Sequence, residues 1–448
     1  MALFGTNGVR GIANEYITPE MAINVARSLG TYMGSKGTIA IGSDTRISGQ
    51  MLKSAAIAGA LSTGLSVIDV GMAPTPSIQY YVRDHADAGI IITASHNPRE
   101  YNGIKLIAGD GSEFPRQGER DIENILYSGK YSTVSWDRTG DFKIDPEIND
   151  YYLKNILSSV DVESIRRRRF KVVIDTGCGA GSLTLPFLLK ALGCEVLTLG
   201  AQPDGTFPWR NPEPVPEALT ELSELVKITG ADLGAAHDGD ADRIVFMDEN
   251  GEFVNEEILL AMMAKYVLRQ KKGPLVTPVS SSQRMADVAE EAGVKLYWTA
   301  VGSINVARKM MEVGAVFGGE GNGGLIFPEH QYCRDGAMAC AKILEILAGG
   351  KKVSELVKTV PEYFNAKTKT PSKDTVATME KVKAEASGLG LKMDTIDGVK
   401  LWSEEGWFLI RPSGTEPIFR IFAEAKKQKR AEELMSLGLD MVLKAEKI

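Results

Sequence analysis

Cysteine is scarce and scattered: Cys178, Cys194, Cys333 and Cys340 are the only four, and no two form a C-x-x-C pair. That spacing excludes a disulfide or zinc framework and leaves small core side chains in a reducing compartment. An excess of basic residues is missing too. Lys and Arg total 51 against 58 Asp and Glu, a formal net charge of −7, so the chain carries no electrostatic footprint for nucleic acid or for an anionic membrane. Any anionic ligand must be met by a local cluster of cations. No run of about 18 apolar residues occurs, and Met1-Ala2-Leu3-Phe4-Gly5-Thr6 has neither a basic n-region nor a long apolar h-region. The expectation is a cytoplasmic protein without a nucleic-acid or membrane partner. Oligomeric state leaves no mark in the sequence. What is there is an ordinary soluble composition, 44% hydrophobic and 24% charged, in 448 residues. Such a length suits about three or four domains of roughly 100–150 residues.

Three stretches share one grammar. Each begins with a strand-like run, at 38–43, 171–175 and 275–279. Each continues through a helical segment to Gly64, Gly193 or Gly293, a residue suited to end a helix in a left-handed turn, and re-enters extended structure. A third short strand follows in each, at 89–92, 232–236 and 315–318. Strand–helix–strand alternation implies parallel pairing with right-handed crossovers, and ligands then bind beyond the carboxyl ends of the strands. The tail differs. Extended runs at 407–411 and 418–423 flank a turn-rich loop, and an amphipathic helix follows. The expected fold is α/β: three similar α/β domains with mixed, mainly parallel sheets (1–148, 149–248, 249–362) and a smaller C-terminal α+β domain (363–448), around a central cleft. The polar stretch 367–374 is expected as a boundary region. The basic run 166–169 reads as a solvated helix end.

The chemistry lies at the strand ends. Thr93-Ala94-Ser95-His96-Asn97-Pro98 places a hydroxyl just after a buried apolar run. A serine there is a poor nucleophile, and many such serines only cap a helix. Asp238-Gly239-Asp240-Ala241-Asp242-Arg243 puts three carboxylates at alternate positions. Packed carboxylates repel one another, so a cation between them is required, and oxygen ligands suit Mg²⁺. An EF-hand reading, with Glu249 at position 12, fails because position 6 is Arg243 and the flanks read as strand. A haloacid-dehalogenase-type phosphatase would want Thr or Val where Asp242 stands. Gly177-Cys178-Gly179-Ala180-Gly181 has the wrong spacing for a dinucleotide fingerprint and reads as a tight turn. Glu320 and Asn322, set among five glycines, form a pair able to bind vicinal sugar hydroxyls; on the residues alone a plain flexible loop reads equally well. Arg411-Pro412-Ser413-Gly414-Thr415-Glu416-Pro417 joins a guanidinium, two hydroxyls and a bendable backbone, a cradle for phosphate.

Taken in order, these strings resemble the signatures of the α-D-phosphohexomutases, with Phe4-Gly5-Thr6-Asn7-Gly8-Val9-Arg10-Gly11 and Asn102-Gly103-Ile104-Lys105 completing the match from residue 4 to about residue 420. The resemblance implies that Ser95 is carried as phosphoserine, with His96 beside it, Arg10 at its phosphate and Lys105 near the reacting oxygens. It implies one Mg²⁺ shared by the Ser95 phosphate and Asp238, Asp240 and Asp242, with Arg243 against the phosphate. Glu320 becomes a sugar ligand. Arg411, Ser413, Gly414 and Thr415, with Arg420 close behind, become the clamp for the phosphate that is not transferred. The family loop commonly reads Gly-Glu-x-Ser-Gly-His; here Asn322 replaces the serine and Gly324 the histidine, so Asn322 carries over only by position. The implied reaction interconverts a hexose 6-phosphate and a hexose 1-phosphate through a bisphosphate intermediate, with hexose 1,6-bisphosphate as activator. The N-terminal string is similar to that of phosphoglucosamine mutases, which points to glucosamine phosphate; mannose or glucose phosphate is the alternative, and Ser303 occupies a variable substrate-loop position. A Mg²⁺-dependent sugar phosphatase is a more distant alternative.

Overall fold

Apolar runs such as 38–43 and 88–92 offer no polar face to water, and the structure buries them on both sides. Ile39, Ile41, Ile90 and Ile92 pack against Val25 and Leu29 of the helix Pro19–Tyr32 and Leu52 and Ala56 of the helix Gly49–Ser62. The alternate residues Ala40 and Ile91 face the other way, onto Ile78 and Val82 of the helix Thr75–His85. Each isoleucine so buried contributes on the order of 1.5–3 kcal/mol relative to exposure.

The computed structural model describes residues 3–5, 8–413 and 417–447. They form two units, one combining Met1–Leu259 with Asn322–Val357, the other Leu260–Gly321 with Lys358–Ile448. Among the described residues no helix is long and apolar enough to cross a membrane.

The first unit holds two mixed sheets. In one, Thr38–Ser43 pairs in parallel with Ser66–Met72 and Ala88–Ile92. The chain then reverses, and Tyr101–Ala108 runs antiparallel to Ala88–Ile92, with Lys105 opposite Ile91. Val9–Ile12 closes the edge, antiparallel to Tyr101–Ala108. In the other sheet Lys171–Asp175 lies between Glu195–Leu199 and Leu233–His237, parallel to both, and Ile244–Met247 returns antiparallel to Leu233–His237. Gly64 and Gly193 take left-handed φ values of 90° and 77°, as helix ends of this type require. Arg166, Arg167 and Arg168 occupy the last turn of the helix Val162–Arg168, where cations complement the helix dipole.

In the second unit Leu275–Pro278 pairs in parallel with Leu296–Thr299 and Phe317–Glu320. A separate antiparallel sheet runs in the order Phe364–Pro371, Ile418–Ala425, Gly406–Pro412, Val399–Ser403, Lys392–Asp394. Its apolar face packs on Val382 and Ala386 of the helix Thr375–Ser387 and on Leu434, Met441 and Val442 of the helix Gln428–Lys447. The polar run expected as a boundary is instead largely the strand Phe364–Pro371. Its lysines alternate onto the solvent face of an edge strand while Thr368 and Thr370 turn to the other side, and polar residues on both faces mask the strand from a search for apolar residues.

Candidate functional site

Ser95 lies in the reversal between Ala88–Ile92 and Tyr101–Ala108, 1% exposed, with φ of 52°. A non-glycine residue in that region carries strain of order 1 kcal/mol, so its surroundings must hold it. They do. The Ser95 backbone N–H donates to Thr93 Oγ1 at 2.9 Å, and that hydroxyl donates to Asp44 Oδ2 at 2.6 Å. Arg46 Nη2 donates to the carbonyls of Ser95 (2.9 Å) and Asn97 (2.7 Å), and Nη1 to those of Pro98 (2.6 Å) and Tyr101 (2.8 Å). Asp44 anchors Arg46 in turn, Nε to Oδ2 at 3.1 Å. Sequence reasoning missed both residues. The available signal was their place just beyond the carboxyl end of Thr38–Ser43, where ligands gather in such sheets.

Two loops meet at Ser95. Its Oγ donates to Asp238 Oδ2 at 2.8 Å, and a Cβ on Gly239 would fall 2.5 Å from the Ser95 carbonyl oxygen, so only glycine permits the approach. The glycine run at 177–181 backs the same loop: a Cβ on Gly179 would sit 2.6 Å from the Gly239 oxygen, and Ala180 N–H donates to that oxygen at 2.9 Å. Arg10 Nη1 donates to Asn97 Oδ1 at 3.0 Å and to the Ala94 carbonyl at 3.3 Å. His96 Nδ1 stands 3.3 Å from Ser95 Oγ. Burial, then the charges of Arg243 and Arg10, push its imidazole down to about 2, so the ring is neutral at neutral pH.

Asp240 and Asp242 each have one oxygen tied back to the protein, and Asp238 has both, its Oδ1 accepting the Arg243 backbone N–H at 3.3 Å. Asp238 Oδ2 accepts Arg243 Nε at 3.0 Å as well as the Ser95 hydroxyl. Asp240 Oδ2 accepts Lys105 Nζ at 2.7 Å and Thr75 Oγ1 at 2.6 Å; Thr75, like Arg46, was unremarked in the sequence. Asp242 Oδ2 accepts Arg334 Nη2 at 2.5 Å and lies 3.6 Å from Lys105 Nζ. Burial raises Asp238 to about 6 against the pull of Arg243, with Asp240 and Asp242 adding to the rise. Burial pushes Asp240 the same way, but Lys105 and the Thr75 hydroxyl overcome it and hold the carboxyl well below the usual range.

Asp240 Oδ1 and Asp242 Oδ1 are buried without a hydrogen-bond partner, and the three carboxylates offer ligand oxygens within 4.8 Å of one another. An unsatisfied buried acceptor costs on the order of 1–3 kcal/mol. Such oxygens fit a hard divalent cation, and an all-oxygen donor set suits Mg²⁺.

The second unit carries the other candidates. Glu320 ends the strand Phe317–Glu320, 7% exposed, and its Oε1 accepts the Gly302 N–H at 3.2 Å, next to Ser303 at the start of the helix Ser303–Val313. Arg411 Nε donates to Asp397 Oδ2 at 2.6 Å, and the same oxygen accepts the Val301 N–H at 2.9 Å. Asp397 therefore ties the arginine to the 301–303 turn. In the sequence, Asp397-Gly398 reads only as a turn signal. Arg411 faces Arg420 across the ladder, a like-charge pair that an anion would relieve. Ser413 N–H donates to the Ile418 carbonyl at 2.9 Å; Gly414 and Thr415 lie outside the described residues. Asn322, in the first unit, uses its Oδ1 to accept the Gly324 N–H at 3.1 Å, shaping its own loop.

Four family models match the chain in order. They are the phosphoglucomutase/phosphomannomutase alpha/beta/alpha domain I over residues 1–132, domain II over 150–251, domain III over 255–364 and the C-terminal domain over 364–436. A phosphoglucomutase/phosphomannomutase of Thermococcus kodakarensis is 48% identical over 451 residues, 99% of each chain. A phosphoglucosamine/phosphogalactosamine mutase of Sulfurisphaera tokodaii is 41% identical over 443 residues, 97% of each chain. The solved structure of a phosphoglucomutase/phosphomannomutase family protein from Burkholderia thailandensis superposes with a TM-score of 0.88 at 27% identity, over 98% of this chain and 97% of that one.

Proposed function

The chain belongs to the phosphoglucomutase/phosphomannomutase family of phosphohexomutases, intramolecular phosphotransferases, and on that premise we propose that Ser95 is its phosphoryl carrier. The observation that carries this reading is the 2.8 Å contact of Ser95 Oγ with Asp238 beside two orphaned carboxylate oxygens. Asp238, Asp240 and Asp242 hold Mg²⁺, which supplies positive charge to the oxygens of the transferring group. A sugar hydroxyl oxygen attacks the phosphorus of phosphoserine 95, the bond from phosphorus to Ser95 Oγ breaks, the hydroxyl proton passes to the departing Ser95 Oγ, and a hexose 1,6-bisphosphate results. After the sugar turns over, Ser95 Oγ attacks the other phosphoryl group, the bond from its phosphorus to the sugar oxygen breaks, and the serine proton passes to that oxygen. Lys105, Arg243 and Arg10 stabilise the charge that spreads over the transferring oxygens, and the neutral His96 lines the pocket at Ser95.

Glu320 holds sugar hydroxyls in both orientations. Arg411, Ser413, Gly414, Thr415 and Arg420 hold whichever phosphate is distal, and hexose 1,6-bisphosphate is the activator that keeps Ser95 phosphorylated. This division of labour goes with domains at 1–148, 149–248, 249–362 and 363–448, in a cytoplasmic enzyme. Glucosamine phosphate is the leading substrate. The 48% identical relative, named for glucose and mannose phosphates, favours those sugars as a second reading. Ser303, adjoining the Gly302 N–H that Glu320 accepts, is the residue to vary when testing the choice.

Two measurements test the proposal. Intact mass of the purified protein should show one covalent phosphoryl group, lost in Ser95→Ala along with nearly all activity. A panel of hexose 1-phosphates and 6-phosphates, with bisphosphate present, should yield isomers; release of inorganic phosphate alone would replace the mutase by a phosphatase.

A further inference from the structure

The backbone at position 324 does not require glycine: unlike Gly323, at φ of 83°, Gly324 is outside the left-handed region. Its constraint is steric. A Cβ on Gly324 would lie 2.3 Å from Arg334 Cδ and 3.1 Å from Arg334 Cγ. Arg334 pairs through its backbone with Ile326 in a short antiparallel bridge, so its side-chain stem lies where a side chain at 324 would start. From there the guanidinium, in a residue only 8% exposed, reaches Asp242 Oδ2 at 2.5 Å.

That contact has a counterpart. Asp240 has Lys105 and Thr75 on Oδ2 and an unpartnered, buried Oδ1; Asp242 has Arg334 on Oδ2 and an unpartnered, buried Oδ1. In each carboxylate the outer partner takes one oxygen and leaves the other for a cation, as outer-shell groups do around metal ligands.

We propose that Arg334 is a positioning residue of the metal loop, admitted by the missing side chain at Gly324, and that it fixes Asp242 through Oδ2 so that Oδ1 faces the ion. The proposal rests on the reading of Asp238, Asp240 and Asp242 as Mg²⁺ ligands. Because the outer partner is a cation, it also offsets part of the carboxylate charge. It therefore trades metal affinity for a well-aimed ligand.

The test titrates the full chain with MgCl₂ by calorimetry and measures mutase kinetics alongside, with far-UV circular dichroism to check folding. Arg334→Ala should bind Mg²⁺ roughly tenfold more tightly, because a charge repelling the ion is gone. Its kcat should fall about 10–100-fold as Asp242 loses its aim, with KM for the phosphosugar moving less than about threefold. Arg334→Lys, which keeps the charge, should bring the Mg²⁺ Kd back to within about twofold of wild type. Gly324→Ala displaces the arginine stem and should reproduce the loss of kcat, adding less than about twofold in the double variant with Arg334→Ala. If the alanine variant does not fold, Arg334→Gln serves the Kd comparison. A Kd in Arg334→Ala that is unchanged or weaker overturns the proposal, as do effects of the two substitutions that simply multiply. Failure of the underlying reading has a different signature: Asp242→Asn would then bind Mg²⁺ as wild type does.

Discussion

Replacing Arg46 with methionine removes five side-chain hydrogen bonds at once, four to the loop that presents Ser95 and one to Asp44. Asp44 is 1% exposed, and stripping the partner from a buried ion pair costs about 3–5 kcal/mol. Burial already raises the Asp44 pKa, so protonation limits that cost towards its lower end. Of the four carbonyls, Pro98 is exposed and Asn97 and Tyr101 half-buried, and water replaces the lost donors there; the Ser95 carbonyl is buried and adds about 1–3 kcal/mol. The sum is about 4–6 kcal/mol, to be measured as a shift of the urea midpoint at unchanged m. Arg46→Lys separates charge from geometry. It keeps a cation for Asp44, but one ammonium cannot reach four carbonyls, so stability should fall by only about 1–3 kcal/mol while most activity goes. A loss below about 1 kcal/mol in Arg46→Met, or a fully active Arg46→Lys, would refute the idea that this guanidinium holds Ser95 at its left-handed φ.

Asp397→Ala frees both Arg411 and the Val301 N–H, so KM should rise about tenfold for 1-phosphate and 6-phosphate alike, as expected for a lost charge-assisted contact; an unchanged KM for both counts against the link. Mg²⁺ at 100 times its Kd should add about 2.7 kcal/mol of stability, read as a rise in unfolding temperature that EDTA reverses and Asp240→Asn abolishes. The absence of any shift would remove the metal from the three aspartates. Burial holds the Glu119 carboxyl up to about 7, against the opposing charge of Arg116. The folded protein then binds more protons than the unfolded chain between the ordinary value of 4.5 and about 7, so this group's contribution to stability is full below that window and declines as pH rises through it. The loss is at most about 3 kcal/mol. Glu119→Gln should flatten the pH dependence of the urea midpoint, and identical slopes in both proteins would show the shift to be absent.

The central strands were legible because a strand buried on both faces is a continuous apolar run, and a run ending at glycine marks its own boundary. The three aspartates were legible for a related reason: they stand at a strand end, and like charges packed so closely point to a cation; Ser95, which by itself reads as readily as a helix cap, was singled out by its place in a string that resembles the family's. Phe364–Pro371 escaped notice because an edge strand needs no apolar run, only a partner. Arg46, Thr75, Arg334 and Asp397 escaped for a deeper reason. Each is an ordinary polar residue whose importance lies in contacts with residues far along the chain: Arg334 is 92 positions from Asp242, and Thr75 is 165 from Asp240. Periodicity and spacing record what a residue's own neighbourhood demands, so the sequence by itself determined the strands, their glycine ends and the carboxylate cluster. Which distant cation or hydroxyl meets a buried carboxylate, and which of its two oxygens is left open, is decided only when sheets and loops pack, because a buried charge takes its partner from whatever the fold brings beside it.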